Sequence, residues 1–482
     1  MNKRMVFRLL GALMLIEAVA MLPSLLVSAV CNDGDWLALV IPPLLLGAVG
    51  APLYFFVKPQ EKNLRAREGF VVVALSWVVL SAFGALPFII SGVIPDPINA
   101  FFETVSGFTT TGATKISDFE GLPRGVMFWR SFTHWVGGMG VLVLTMALLP
   151  KMTGRNSHLI RAESPGPCMS KLLPKMGDSA RVLYMIYFAM TAVQFVLLIF
   201  AGMNPYDAAI HAMGTAGTGG FSNYGASVGA FNSAAIDWII TVFMLLFGIN
   251  FALYYRVLLG GWRDAIRNEE LRWYLGIAAF AIITITCIIL PNYGTVEEAL
   301  RYAAFQVASV ISTTGYATAD YNLWPVAAKM LIVLIMFVGS CAGSTAGGMK
   351  VIRVAILGKL VRREIRHTYQ PRKVQVVRFE GKGVEEPMLA QVAVFAVAYV
   401  ALVLVGAFAL SLEGLYDFET NFTAALTCVS NVGPGLGSVG PVENFAGYGP
   451  FSTIVCSILM LCGRLELFPM LVLFSPGVWK SH

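Results

Sequence analysis

The sequence predicts an all-α integral membrane protein of ten transmembrane helices: an N-terminal pair of spans, then four parallel repeats of span, half-helix, polar loop and span. Three observations carry this expectation. Hydrophobic residues make up 57% of the 482 and charged residues 13%, against about 25% charged in a soluble domain. Apolar runs long enough to cross the hydrocarbon, which takes about 20 residues, recur along the whole chain. From the third run onward, the outward connections end in small polar clusters with a central glycine.

The first span, 6–30, follows Lys3 and Arg4 much as a signal peptide would. Its apolar run exceeds the about 7 to 15 residues of a signal h-region, and no small-x-small site clearly closes it, so it is a retained span. Further spans are expected at 36–57, 70–93, 126–150, 181–202, 235–259, 271–291, 326–350, 388–411 and 451–475. These group into an N-terminal region 1–68 and repeats 69–160, 161–262, 263–382 and 383–482.

Charge gives the orientation. Lys58, Lys62, Arg65 and Arg67 follow the second span; Lys151, Arg155, Arg161, Lys171, Lys175 and Arg181 follow the fourth. Arg256, Arg263, Arg267 and Arg272 flank the sixth connection, and 350–382 is the most basic segment of all. Such connections are cytoplasmic by the positive-inside rule, which puts both termini in the cytoplasm. The net charge of +6 therefore reports topology, not a nucleic-acid partner. The opposite connections carry acids such as Asp96, Glu103, Asp207, Asp237, Glu297, Asp320, Glu419 and Glu443. Solvated loops explain them, and so does a cation entrance, where acids raise the local cation concentration. The seven cysteines are scattered without CxxC spacing, as packed thiols are and metal sites are not.

The four polar clusters align on Gly112, Gly219, Gly315 and Gly433. Parallel repeats arrange about an axis along the membrane normal, so four loops are expected to line one pore. Each glycine follows two residues: Thr110 and Thr111, Gly217 and Thr218, Thr313 and Thr314, Asn431 and Val432. Backbone carbonyls from four such loops replace the hydration shell of an ion such as K⁺, and glycine permits the backbone turn this needs. The half-helices direct their negative C-terminal ends at the same point.

Below the loops, the eighth span is interrupted by Gly339, Gly343, Ser344, Thr345, Gly347 and Gly348, followed by Lys350. Glycines ease close packing of membrane helices, but this density with Ser and Thr suits a broken span lining a cavity. Arg464 and Glu466 lie in the otherwise apolar last span, where charge is costly and functional by default. Arg464 is expected to hold the Gly-rich loop by hydrogen bonds; a buried ion pair with Glu466 is the alternative.

Thr-Thr-Thr-Gly-Ala-Thr at 109–114, Arg-Ala-Glu-Ser-Pro-Gly-Pro at 161–167, Gly-Ser-Cys-Ala-Gly-Ser-Thr at 339–345, Asn-Val-Gly-Pro-Gly at 431–435 and Gly-Arg-Leu-Glu at 463–466 resemble the Trk/Ktr/HKT superfamily of potassium transporters, within it the TrkH/TrkG subunits of bacterial Trk systems. The resemblance implies potassium uptake across the inner membrane by a homodimer. It also implies a cytoplasmic TrkA-like ring that binds a regulatory nucleotide (ATP, ADP or NAD), and a gate at 339–348 with Arg464 and Lys350 as its partners. Ala346 departs from the family's usual Gly. The basic segment 350–382 suits either that ring or anionic membrane lipid. Two other function classes remain at this stage: a symporter coupled to Na⁺ or H⁺, and a multi-span enzyme. Against the enzyme, His134, His158, His211, His367 and His482 are dispersed.

Overall fold

The computed structural model describes residues 3–57, 66–119, 121–140, 176–373, 375–465 and 467–473. Glu466, the motif 161–167, much of the basic connection after the second span and residues 141–150 of the fourth expected span lie outside the described residues. Helices dominate, with one exception to the all-α expectation: the two-residue strands Arg378–Phe379 and Lys382–Gly383 pair antiparallel in the basic connection.

The N-terminal pair consists of Lys3–Cys31, interrupted at Met21, and Trp36–Phe55. They pack tightly because Gly11 and Gly50 face each other: a Cβ on Gly11 would lie 2.8 Å from the Gly50 carbonyl oxygen. Each expected repeat then opens with a long apolar helix: Glu68–Ile90, Ala180–Phe200, Glu269–Asn292 and Glu386–Ser411.

Four half-helices follow, Pro97–Phe108, Pro205–Gly217, Val296–Ile311 and Phe418–Ser430. Asp96, Asn204, Thr295 and Asp417 cap their N-termini, each side chain accepting a backbone N–H three residues on. A cap of this type satisfies a donor that the helix start leaves unpaired, and Pro97 and Pro205 occupy first-turn positions that need no donor. At the other end Thr110, Thr218, Thr313 and Asn431 take left-handed conformations, with φ of 56, 55, 56 and 55°. The next N–H returns to the carbonyl five residues back: Thr111 to Ser106, Gly219 to Gly214, Thr314 to Ser309 and Val432 to Thr427, at 2.8 to 3.0 Å. This is the Schellman closure that stops a helix and turns the chain.

The second helices of the repeats are shorter than expected. Arg124–Gly138, Val326–Val338 and Pro450–Arg464 have 15, 13 and 15 residues. The sixth expected span, 235–259, is not continuous: Ala234–Phe247 and Phe251–Leu258 meet at 91°. The bend is where residues 339–350 enter, with Cys341 N–H donating to Gly248 O at 3.1 Å and Phe251 N–H to Gly343 O at 3.0 Å. A glycine-containing break opens the backbone pairs that this insertion uses. The last expected span likewise breaks near Leu467, whose φ is 61°, before Phe468–Leu473. Among the described residues six helices are long and apolar enough to cross a membrane, or seven if the bent pair is one span.

Candidate functional site

The backbone conformation fixes the register of the four loops and shifts one of them. Gly112, Gly220, Gly315 and Gly433 have φ of 84, 76, 83 and 97°, each two residues after the left-handed residue that ends its half-helix. The second loop therefore reads Thr218–Gly219–Gly220, one residue later than the alignment on Gly219. Gly217 is the last residue of its half-helix, packed so that a Cβ would lie 2.2 Å from the His134 carbonyl oxygen.

In this register the loops close into a ring. A Cβ on Gly112 would meet Gly219 O at 2.1 Å, one on Gly220 would meet Thr314 O at 2.0 Å, and one on Gly315 would meet Val432 O at 2.1 Å. A Cβ on Gly433 would lie 2.6 Å from Thr111 O, back on the first loop. Each glycine thus abuts the carbonyl preceding the glycine of the next loop, around all four. Any side chain here collides with backbone and takes a φ that L-residues resist. The same four glycines line one cavity with Thr114, Ser117, Glu443 and Asn444. Four converging sets of carbonyls, behind half-helices whose C-terminal ends are negative, favour a partly dehydrated monovalent cation.

Side chains one or two turns up each half-helix brace the chain beyond the glycine, a role the sequence reading did not assign. Glu103 accepts from Thr114 Oγ1 at 2.9 Å, from Lys115 N–H at 2.8 Å and from Arg130 Nε at 2.7 Å. Arg130 in turn donates to Ser222 O at 2.9 Å and covers the Phe221 ring, tying the first loop to the second. His211 Nε2 lies 3.1 Å from Ser222 Oγ, Gln306 Nε2 donates to Ala319 O at 3.1 Å, and Leu436 N–H donates to Thr423 Oγ1 at 2.9 Å. The acids Glu103, Asp207 and Asp237 are therefore not part of a solvated entrance; all three are buried. Asp237 pairs with Arg301 at 2.5 Å, and Asp207 accepts from Tyr224 and Asn223.

Lys115, in the connection just beyond the first loop, donates from Nζ to Tyr448 O at 2.9 Å. Burial pulls its pKa down to about 8, against Cys456, Glu103, Glu413 and Asp96, which pull it up. The ammonium is thus kept at neutral pH and lost as pH rises through about 8, which removes a buried positive charge from behind the first loop. Cation flux at low cation concentration is expected to rise about twofold between about pH 7 and about pH 9, and to lose this rise in Lys115→Met. A variant that keeps the parent's pH profile would assign the titration to another group.

Beneath the ring, Gly339 to Lys350 forms a non-helical segment between Val326–Val338 and Val351–Tyr369. Gly339, Gly343, Gly348 and Lys350 have φ of 69, 72, 76 and 77°. The segment fits against the underside of the loops: Gly347 N–H donates to Thr313 Oγ1 at 2.7 Å, and a Cβ there would lie 2.3 Å from Ser430 O. Ser340 Oγ donates to Ile311 O at 2.7 Å, and Lys350 Nζ donates to Ala346 O. Ser344 Oγ donates to Cys341 O at 2.7 Å.

Arg464 joins this segment to the first repeat. It donates to Thr345 O at 2.7 Å and to Gly137 O and Gly138 O at 2.6 and 2.8 Å. Gly137 and Gly138 end their helix, so the guanidinium also satisfies carbonyls that the helix C-terminus leaves open. The bond to Thr345 is of the kind expected between Arg464 and the Gly-rich loop, whereas those to Gly137 and Gly138 were not expected. Among the predicted filter residues, Gly217 lies in its half-helix and not in the ring.

A family model for TrkH, described as cation transport protein, matches residues 43–480. The Trk system potassium uptake protein TrkH of Escherichia coli (strain K12) is 36% identical over 491 aligned residues, covering 100% of both chains. The protein of the same name from Halomonas elongata is 37% identical over 495, again covering 100% of both. The crystal structure of the potassium transporter TrkH from Vibrio parahaemolyticus has a TM-score of 0.89 to this chain at 32% identity, with 100% of both chains covered.

Proposed function

This chain belongs to the TrkH family of cation transport proteins, and we propose that it carries potassium into the cell through a gated pore whose filter is the four-loop carbonyl ring. It is a multi-pass protein of the inner membrane and not an enzyme. The observation that carries the reading is the ring closure: four glycines of positive φ, each against the next loop's carbonyl. The filter residues are Thr110, Thr111 and Gly112, Thr218, Gly219 and Gly220, Thr313, Thr314 and Gly315, and Asn431, Val432 and Gly433. At the middle position only backbone oxygens are common to all four sets, since Gly219 and Val432 stand there beside Thr111 and Thr314.

The short second helices complete ten crossings in this reading, with both termini cytoplasmic. The gate is the segment from Gly339 to Lys350, held by Arg464. The exposed basic face of Val351–Tyr369, with Arg362 and Arg366, supports a cytoplasmic partner: a TrkA-like ring carrying the regulatory nucleotide, on a homodimer set in membrane lipid.

Purified protein in liposomes with a potassium gradient is the test of function. Uptake of K⁺ is expected to follow the electrochemical gradient of K⁺ alone. Flux that requires a Na⁺ or H⁺ gradient would replace the channel-like reading with obligatory coupling.

A further inference from the structure

We propose that Thr313 is a positioning residue that latches the Gly-rich segment to the filter, an inference that rests on that segment being the gate. Thr313 belongs to both parts at once. Its backbone is the left-handed residue that starts the third loop, with φ of 56°, and its hydroxyl oxygen accepts the Gly347 N–H at 2.7 Å. It is fully buried, so no water competes for that bond from outside.

The corresponding side chains of the second and fourth loops have different partners, and Thr110 Oγ1 in the first has none. Thr218 Oγ1 donates to Gly217 O at 2.6 Å, within its own loop, and Asn431 Nδ2 donates to Thr111 Oγ1 at 2.9 Å and to Met460 O at 3.0 Å. Among the bonds described at these positions, the one at Thr313 reaches the Gly-rich segment. A second bond joins the segment to the same half-helix end: Ser340 Oγ donates to Ile311 O at 2.7 Å. The segment is thus pinned near both its ends, at Ser340 and Gly347, to a single half-helix terminus.

Gly347 itself must be glycine for the latch to close. A Cβ would meet Ser430 O at 2.3 Å and Asn431 Cβ at 3.0 Å, on the fourth loop. Its N–H reaches Thr313 only because its α-carbon lies flat against the neighbouring loop. Movement of the segment away from the axis breaks the Thr313 bond and leaves a buried donor and acceptor unpaired, which favours the seated position.

The test compares Thr313→Val, Thr313→Ser and Arg464→Ala in liposomes without the cytoplasmic partner, reading basal K⁺ flux. Valine keeps the shape and loses the acceptor. Basal flux is expected to rise about fivefold in Thr313→Val and to return toward the parent value in Thr313→Ser. In the double variant Thr313→Val with Ser340→Ala, the rise is expected to differ from the product of the single rises, because both bonds hold one segment. Basal flux unchanged in Thr313→Val, or flux as high in Thr313→Ser as in Thr313→Val, overturns the latch. Arg464→Ala separates the two levels: a leak there with none in Thr313→Val leaves the gate standing without the latch, and no leak in either removes the gate reading itself.

Discussion

Gly315→Ser is expected to cut the K⁺/Na⁺ permeability ratio by about tenfold or more while leaving the protein folded. The new Cβ would lie 2.1 Å from Val432 O and 2.9 Å from Pro434 Cδ, and both neighbours are backbone or ring atoms that cannot rotate away. The residue would also have to hold φ near +83°, at a cost of about 1 to 2 kcal/mol for an L side chain. Relief comes from moving the third loop away from the fourth, which displaces the Thr314 and Val432 carbonyls together. A displacement costing about 1.4 kcal/mol in differential ion binding is a factor of ten. Measured bi-ionic potentials decide this, and an unaltered ratio would mean that these carbonyls do not choose the ion.

Arg464→Ala has the second large effect: basal K⁺ leak in the absence of a partner is expected to rise at least about tenfold. Three carbonyls lose a charged donor, on Thr345, Gly137 and Gly138. Hydrogen bonds to charged groups contribute about 1.5 to 3 kcal/mol each, less here because the side chain is only half-buried. One such bond still suffices to shift a closed segment tenfold toward open. The substitution also removes a positive charge close under the ring, which adds to the conductance. Arg464→Lys tests geometry against charge, since an ammonium cannot span three carbonyls as a guanidinium does. Leak in the lysine variant near that of alanine would assign the effect to the bonds.

Much of this was legible in the sequence, for identifiable reasons. Apolar length responds to the bilayer directly, so the first long helix of each expected repeat appears close to its expected place. The third and fourth loops were legible because Gly315 and Gly433 each follow residues that offer no competing glycine nearby upstream. The second loop was not. Gly217, Gly219 and Gly220 surround Thr218, any of the three accepts positive φ, and only the hydrogen bond from Gly219 N–H to Gly214 O settles where the helix stops.

The bend between Phe247 and Phe251 was illegible for another reason. It depends on Gly343 and Cys341, more than 90 residues away, and a local pattern does not record a partner at that distance. A cap signal was nonetheless present, since Asn250 accepts the Ala252 N–H at 2.9 Å as the start of a new helix requires. Glu103 shows the converse error. An acid near an outward loop reads as solvated, and its true role emerges only with Arg130 placed beside it at 2.7 Å.

The most direct test of the ring as a potassium filter is the reversal potential of the reconstituted protein, with K⁺ on one side and Na⁺ on the other. It is expected to lie toward the K⁺ equilibrium potential in the parent and to collapse toward zero for substitutions at Gly112, Gly220, Gly315 or Gly433 alike. A parent that does not distinguish the two ions, or a collapse at Gly219 with none at Gly220, would contradict it.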